Sequence, residues 1–267
     1  MRIFGRKPQR FFLGLKGLPM FFVAFLRALI VFECPLTIVW SYILRRSPAE
    51  GTVRLRNGHV IHLSGDPADI VTLFLIFARE DYGRIIPGST VVDIGANIGV
   101  FSLYAAFSGA KRVWAYEACR SSYDILRKNI KANGLEPIIS ANHMAVVGAD
   151  REPVKFPRRS DVMNAIMLDS SDAVDYDLVP TITLSEIVSH FDSVDLVKSD
   201  CEGAEYDIFL NSKGTDILKI AEIRMEYHNG PRDGLIARLS GLGYAIREFM
   251  AEDMGGGYLW VTRSSLP

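Results

Sequence analysis

Residues 90–117 read TVVDIGANIGVFSLYAAFSGAKRVWAYE, and the order of patterns within them decides the fold. Thr90 to Ile94 is a β-branched apolar run closed by Gly95, the segment 98–107 is helical in pattern, and 111–118 is strand-like again. A buried strand, a glycine turn, a helix and a second strand form a crossover unit, which joins parallel neighbours in a sheet. The rhythm continues with a helix near 121–132 and a strand over 137–146, PIISANHMAV. It resumes with VDLVKSD (194–200), a helix over 204–213, IAEIRMEYH (220–228) and a helix over 232–241. Two last strands, YAIREFM and GGYLWVTR, are joined by a glycine-rich loop and read as an antiparallel hairpin. Between the halves, VKFPR and VPTITL within 147–183 suggest extra strands. The expected class is α/β, a doubly wound and mostly parallel sheet.

In such a sheet ligands bind at the carboxyl ends of the strands, where the turn Gly95-Ala96-Asn97-Ile98-Gly99 lies. Gly95 admits close approach of the backbone to a ligand, and Gly99 lets the helix start close to the sheet. A dinucleotide fingerprint needs G-x-G-x-x-G, with the pyrophosphate on the helix N-terminus. Here Asn97 replaces the second glycine and the third is absent. Asp93, just before the turn, repels phosphate and attracts a cation. Glu117 ends the second strand 22 residues after Gly95, where an acid accepts hydrogen bonds from both ribose hydroxyls. A cationic ligand carrying an adenosine fits, and the pattern points to S-adenosylmethionine. The bland alternative makes Asp93 a helix cap and Glu117 a solvated strand-end acid.

A second strand-to-helix junction, LVKSDCEGAE (196–205), and the strand end Met225-Glu226-Tyr227-His228 add more titratable groups. In the doubly wound order the first, fourth and fifth strands are neighbours, so Asp93, Asp200, Glu202, Glu226 and His228 are expected around one cavity. Alternation along a strand puts Glu226 and His228 on one face. Singly, each has a duller reading: Glu202 or Glu205 as a helix cap, His228 as a structural histidine. Oxygen ligands for a divalent ion are present, but no spacing is diagnostic, and no metal site is assigned.

VVDIGANIG, the acid of YEACRSSYDILRKNI with Asn129, LVKSDCEGAEYDIFL and the EYH strand end together resemble the FkbM-type methyltransferases. These belong to the class I S-adenosylmethionine-dependent enzymes with a Rossmann-like sheet. The resemblance runs from about Val91 to His228 and weakly to the C-terminus. Ala118 stands where the family often has proline, and Ser199 and Cys201 where aliphatic residues are usual. It implies O-methylation of a hydroxyl on a glycan, a lipid-linked molecule or a natural product. A hydroxyl must lose its proton as it is methylated, and a base with a pKa near neutrality suits that. His228, at an ordinary 6.5, is the expected base, supported by Glu226, with Asp200 as the alternative. Asp93 is expected to hold the methionine part and Glu117 the ribose; Gly95, Ala96, Asn97 and Gly99 form the cofactor loop, and Ala145 borders the adenine. Two other readings remain: a nucleotide (NAD)-dependent oxidoreductase on the same sheet, against which Asn97 speaks, and a non-catalytic membrane-associated scaffold.

Outward from this core, 51–88 holds a hairpin around Asn57-Gly58 and a helix that starts at Pro67 after Asp66. Residues 1–50 are a hydrophobic helical appendage, and 89–267 the methyltransferase domain. The run 11–44, FFLGLKGLPMFFVAFLRALIVFECPLTIVWSYIL, is flanked by Arg2, Arg6, Lys7, Arg10, Arg45 and Arg46. Arg27, Glu33 and Pro35 interrupt it. A central charge opposes insertion by about 2.5–3.5 kcal/mol, against about 0.3–0.6 returned per large aliphatic or Phe. A helix on a membrane surface, a cap packed on the protein itself and a true span are therefore all open, the first being favoured. The chain is 49% hydrophobic and 23% charged, with 30 Lys and Arg against 31 Asp and Glu, so no broad attraction to nucleic acid is expected. Three widely spaced cysteines, Cys34, Cys119 and Cys201, offer no disulfide framework. Together these place the chain in the cytoplasm, peripheral to or anchored at the inner membrane face, acting on a small-molecule, glycan or lipid-linked acceptor.

Overall fold

The computed structural model describes residues 18–149, 152–158, 175–249 and 256–263. The chain divides into two compact units, Met1–Gly83 and Arg84–Pro267, which places the hairpin and its following helix with the N-terminal helices.

In the first unit α1 (Leu18–Val31) and α2 (Pro35–Leu44) are separated by a break at Cys34, where Pro35 fixes the start of the second helix. Strands β1 (Thr52–Arg54) and β2 (Val60–His62) pair antiparallel around the turn that holds Gly58. Helix α3 (Pro67–Phe74) is capped by Asp66, whose side chain accepts from Ala68 N at 2.8 Å. It widens into a π turn over Leu75–Arg79 and stops at Glu80, which is left-handed at φ 57°. Arg27 is explained in this unit: it pairs with Glu80 at 2.9 Å and reaches the carbonyls of Ala78 and Arg79. Among the described residues no helix is long and apolar enough to cross a membrane.

The second unit is built on β3 (Thr90–Ile94), α4 (Val100–Phe107), β4 (Arg112–Glu117), α5 (Arg120–Ala132) and β5 (Ile139–His143). Short strands β6 (Ala145–Val147), β7 (Val154–Pro157), β8 (Tyr176–Val179) and β9 (Thr181–Thr183) follow, then α6 (Leu184–Ser189). The second half holds β10 (Val194–Ser199), α7 (Ala204–Asn211), α8 (Gly214–Ile217), β11 (Ile220–Tyr227), α9 (Arg232–Gly241), β12 (Tyr244–Phe249) and β13 (Gly257–Arg263). Seven strands form one sheet in the order β12-β13-β11-β10-β3-β4-β5, parallel except for β13, which runs antiparallel to β11 and β12. This is a Rossmann-like, doubly wound sheet. Its winding reverses between β3 and β10, so the carboxyl ends of those strands border the ligand crevice.

Val91, Val92, Val197, Ile223 and Leu259 are fully buried, as strands covered on both faces require. Each such side chain contributes about 1.5–3 kcal/mol on burial. Gly99 begins α4 at φ 90°, and a Cβ there would lie 2.4 Å from Leu126 Cδ1, so the missing side chain sets the close packing of α4 and α5. One expected boundary is corrected. The third strand ends at His143, and Ala145 opens β6, which pairs with β9 in a separate two-stranded sheet. The amide of Ala145 is taken by Pro180 O at 2.9 Å, which draws the chain away from the main sheet.

Candidate active site

The turns after β3 and β10 are built alike. Asn97 (φ 51°) precedes Gly99, and Glu202 (φ 53°) precedes Gly203, both glycines being left-handed helix caps. A glutamate in the left-handed region costs about 1–2 kcal/mol, strain of a kind that gathers at functional sites. The two turns touch: Asp200 N donates to Ile94 O at 3.1 Å, and a Cβ on Gly95 would stand 1.8 Å from Asp200 O. Gly95 is thus required by the neighbouring backbone.

The amides of Gly95 and Ala96 both donate to Tyr116 O at 3.0 Å, and that of Asn97 donates to Glu117 Oε2 at 2.7 Å. Three amides that could have met a pyrophosphate are already committed, which disfavours a dinucleotide. Glu117 Oε1 accepts from Cys119 N at 2.7 Å. Burial pushes Glu117 up to about 7, against the pull of those two amides. Asn97 Oδ1 is buried without a hydrogen-bond partner, an acceptor left for a ligand. Asn129, fully buried, fixes the loop from behind by donating to Ile98 O at 2.9 Å.

Asp93 is 0% exposed. Its Oδ2 accepts from Ser102 Oγ at 2.6 Å, and its Oδ1 lies 3.2 Å from Lys198 Nζ. The cation that Asp93 holds in the structure is Lys198. That ammonium also donates to Gly95 O at 2.7 Å and lies 3.8 Å from Asp200. Burial opposes its charge, but Asp93 and Asp200 outweigh burial and raise its pKa. A lysine buried to 3% on a strand is rare unless paired, so LVKSD did carry a signal that Lys198 has a carboxylate partner.

On the other side of the turn His228 Nδ1 lies 3.1 Å from Glu205 Oε1 and Nε2 lies 3.3 Å from Glu202 Oε2. Glu205 is 0% exposed and also accepts from Gly203 N at 2.9 Å and His228 N at 2.7 Å. Tyr206 donates its hydroxyl to His228 O. The orienting carboxylate is therefore Glu205, not Glu226, which is hydrogen-bonded by Tyr258. Burial works against the imidazolium, yet Glu205, Glu202 and Asp200 outweigh it and raise His228 to about 9. Glu205 stays below its ordinary value because His228 and the backbone amides overcome its burial. Glu202 and Glu226 are each pushed up to about 7, by burial first. Ligand atoms of Asp200, Glu202 and His228 come within 4.8 Å of one another, a spacing that could hold a metal ion.

Asp200, Glu202, Glu226 and His228 thus cluster at the strand ends. Ala145 lies apart, buried with Cys119, Phe156 and Val179 beyond Glu117. In the 147–183 segment Arg158 pairs with Asp177 at 2.7 Å and Asp175 at 3.1 Å, while Arg159, Asp161 and Asn164 fall outside the described residues.

Probable histone-arginine methyltransferase 1.4 of Arabidopsis thaliana is 37% identical over 85 residues, 32% of this chain and 14% of that protein. The ribosomal protein L11 methyltransferase of Bacillus cereus (strain Q1) is 27% identical over 134 residues, 50% of this chain and 41% of the relative. The chain spans less than half the length of these curated relatives. Among solved structures, ribosomal protein L11 methylase from Lactobacillus delbrueckii subsp. bulgaricus superposes with a TM-score of 0.46 at 16% identity, over 74% of this chain and 82% of that one. TrmK of M. capricolum, solved with S-adenosyl-homocysteine, gives 0.43 at 14% identity, over 67% and 64%. The model of the methyltransferase FkbM domain matches residues 93–255. That match begins at Asp93, takes in both strand-end turns and the His228 strand end and covers more than half of the sequence; the chain belongs to the FkbM-domain methyltransferases, whose methyl donor is S-adenosylmethionine.

Proposed function

We propose that the protein is an O-methyltransferase that deprotonates and methylates a hydroxyl on a glycan, a lipid-linked molecule or a natural product. The observation that carries this reading is the His228 imidazole, fixed by the buried carboxylate of Glu205 at a strand end beside Asp200 and Glu202. In this reading Glu117 and Asn97 hold the adenosine part of the cofactor. Lys198 and Asp93 set the shape of the turn, and Gly95, Ala96 and Gly99 form its backbone. Ala145 lies on the adenine side. Bound there, S-adenosylmethionine supplies an electrophilic methyl group; the protein aligns the acceptor and takes up its proton.

His228 Nε2 is the atom that receives the proton. Near pH 7 an imidazole at about 9 is charged, so the base form grows as pH rises. With saturating cofactor, kcat/KM is expected to increase from neutral pH toward about 9. In Glu205→Gln the partner that raises His228 is gone, so the half-maximal pH moves down toward 6.5 and the plateau falls as orientation is lost. A half-maximal pH near 7 in the parent protein would instead give the proton to Glu202 or Glu226.

Cofactor binding has its own pH signature. Two hydroxyls donating to the Glu117 carboxylate favour its ionised form, so binding releases a proton from a group at about 7. Affinity for S-adenosylhomocysteine is expected to rise about tenfold between pH 6 and pH 8 and flatten above. Titration calorimetry across that range checks it, and Glu117→Gln should weaken binding and remove the slope. The reaction class is tested by incubating the protein and S-adenosylmethionine with hydroxyl-bearing saccharides, lipid-linked saccharides and polyketides, with amine and guanidinium peptides alongside. Methyl ethers among the products support O-methylation. Methylation of the peptides alone would overturn it.

A further inference from the structure

The first unit shows a surface that its fold does not explain. Among the described residues every exposed side chain on α1 is apolar, Phe22, Leu26 and Ile30 among them, and on α2 only Thr37 departs from that rule. Ile30 is 73% exposed, and Phe22 and Trp40 are each 60% exposed. The opposite faces are already used: Ala24, Ala28, Phe32, Ile38 and Val39 are buried, and the Tyr42 ring stacks on Phe74 at 4.1 Å. Helices that are apolar all round belong between two apolar phases. An exposed apolar patch of this kind marks an interaction site.

Charge selects the partner. The first 56 residues hold ten Lys and Arg against only Glu33 and Glu50, in a chain whose net charge is −1. Arg45 and Arg46 close α2, and Arg54 and Arg56 flank the β1–β2 turn, all four exposed. A second copy of the chain would bring one strongly basic surface against another. Among the described residues neither α1 nor α2 is long enough to span, since 14 residues reach about 21 Å against a hydrocarbon core of about 30 Å. We propose that α1 and α2 lie flat in the surface of an anionic phospholipid bilayer, their apolar faces at the acyl boundary and the neighbouring arginines on lipid phosphates. Trp40 is the kind of residue that anchors at that depth. Arg27 does not oppose this placement, because Glu80 neutralises it within the unit. The proposal stands independently of the methyl-transfer reading.

The full chain is mixed with phosphatidylcholine vesicles, with and without phosphatidylglycerol, and sedimented. Anionic vesicles should retain it at least about tenfold better than neutral ones. Raising salt from 0.1 M to 1 M shortens the screening length from about 10 Å to about 3 Å and should weaken retention. Phe22→Ser with Trp40→Ser, and separately Arg45→Gln with Arg46→Gln, should each reduce it about tenfold or more. S-adenosylhomocysteine titration shows that each variant is folded, and a blue shift of tryptophan emission on adding vesicles, lost with Trp40→Ser, reads the contact directly. Failure to sediment with either vesicle would overturn the proposal. So would retention that ignores both pairs of substitutions, or a Phe22→Ser, Trp40→Ser protein that merely changes from oligomer to monomer, which would give the surface to a second copy.

Discussion

Asp93→Ala is expected to abolish S-adenosylhomocysteine binding and to destabilise the protein by about 3–5 kcal/mol, because it strands a buried ammonium. Lys198 is 3% exposed, and its nearest full negative charge is Asp93 at 3.2 Å. The carbonyls of Gly95 and Ile94 would still accept its protons, but Asp200 stands 3.8 Å away and half-buried, and it serves the opposite turn. For a unit of this size the thermal midpoint should fall by about 10 °C. Loss of binding alone would not separate a positioning role from simple unfolding, so the informative partner is Asp93→Ala with Lys198→Met. That double variant buries no unpaired charge and should recover most of the stability, since replacing both members of a buried pair is often neutral. It should not recover binding, because Lys198 no longer ties the Gly95 carbonyl across the two turns. A single Asp93→Ala protein with an unchanged midpoint would mean that the pair is not formed in solution.

Much of this arrangement was legible in the sequence because it is periodic. The β-branched runs, the glycine turns and the helical spacing located nearly every element of the main sheet within two residues, and Glu117 ends β4 with its carboxylate on the amide of Asn97. Contacts set by chain crossing were harder to read. The split after His143 depends on Pro180, 35 residues beyond Ala145, offering a carbonyl, and no local pattern announces that. The Lys198 partner of Asp93 lies 105 residues later, on a strand paired in register with β3 at these two residues, and no local pattern announces that pairing. Glu205 resembles any acid in the first turn of a helix, a position the helix dipole favours by itself. Only its complete burial and four converging donors reveal the difference. Over the described part of the apolar run, 18–44, the ambiguity has another reason: hydropathy does not distinguish one helix from two, and the break at Cys34 and the Arg27–Glu80 pair are tertiary facts.

His228→Ala is expected to lower kcat for methyl transfer by about 10²–10⁴ and to leave S-adenosylhomocysteine affinity within about twofold, which separates proton removal from cofactor capture. The ring contacts Glu205 and Glu202. The groups assigned to the adenosine are Asn97 and Glu117, whose hydrogen bonds run to each other and to Cys119. Removing the imidazole therefore leaves the cofactor turn intact. Glu205 keeps the amides of Gly203 and His228 but loses the Nδ1 proton, so a stability loss of about 1–3 kcal/mol is expected as well. His228→Asn restores a donor near that position and should recover part of the stability without recovering turnover, because an amide does not accept a proton near neutral pH. Added imidazole should partly restore His228→Ala if the missing function is proton transfer, and the rescued rate should rise with the fraction of free imidazole that is neutral, half-maximal near pH 7 and no longer near 9. A His228→Ala enzyme that keeps its rate would pass the proton to Glu226 or Glu202 and leave His228 as the cation that holds those carboxylates in place.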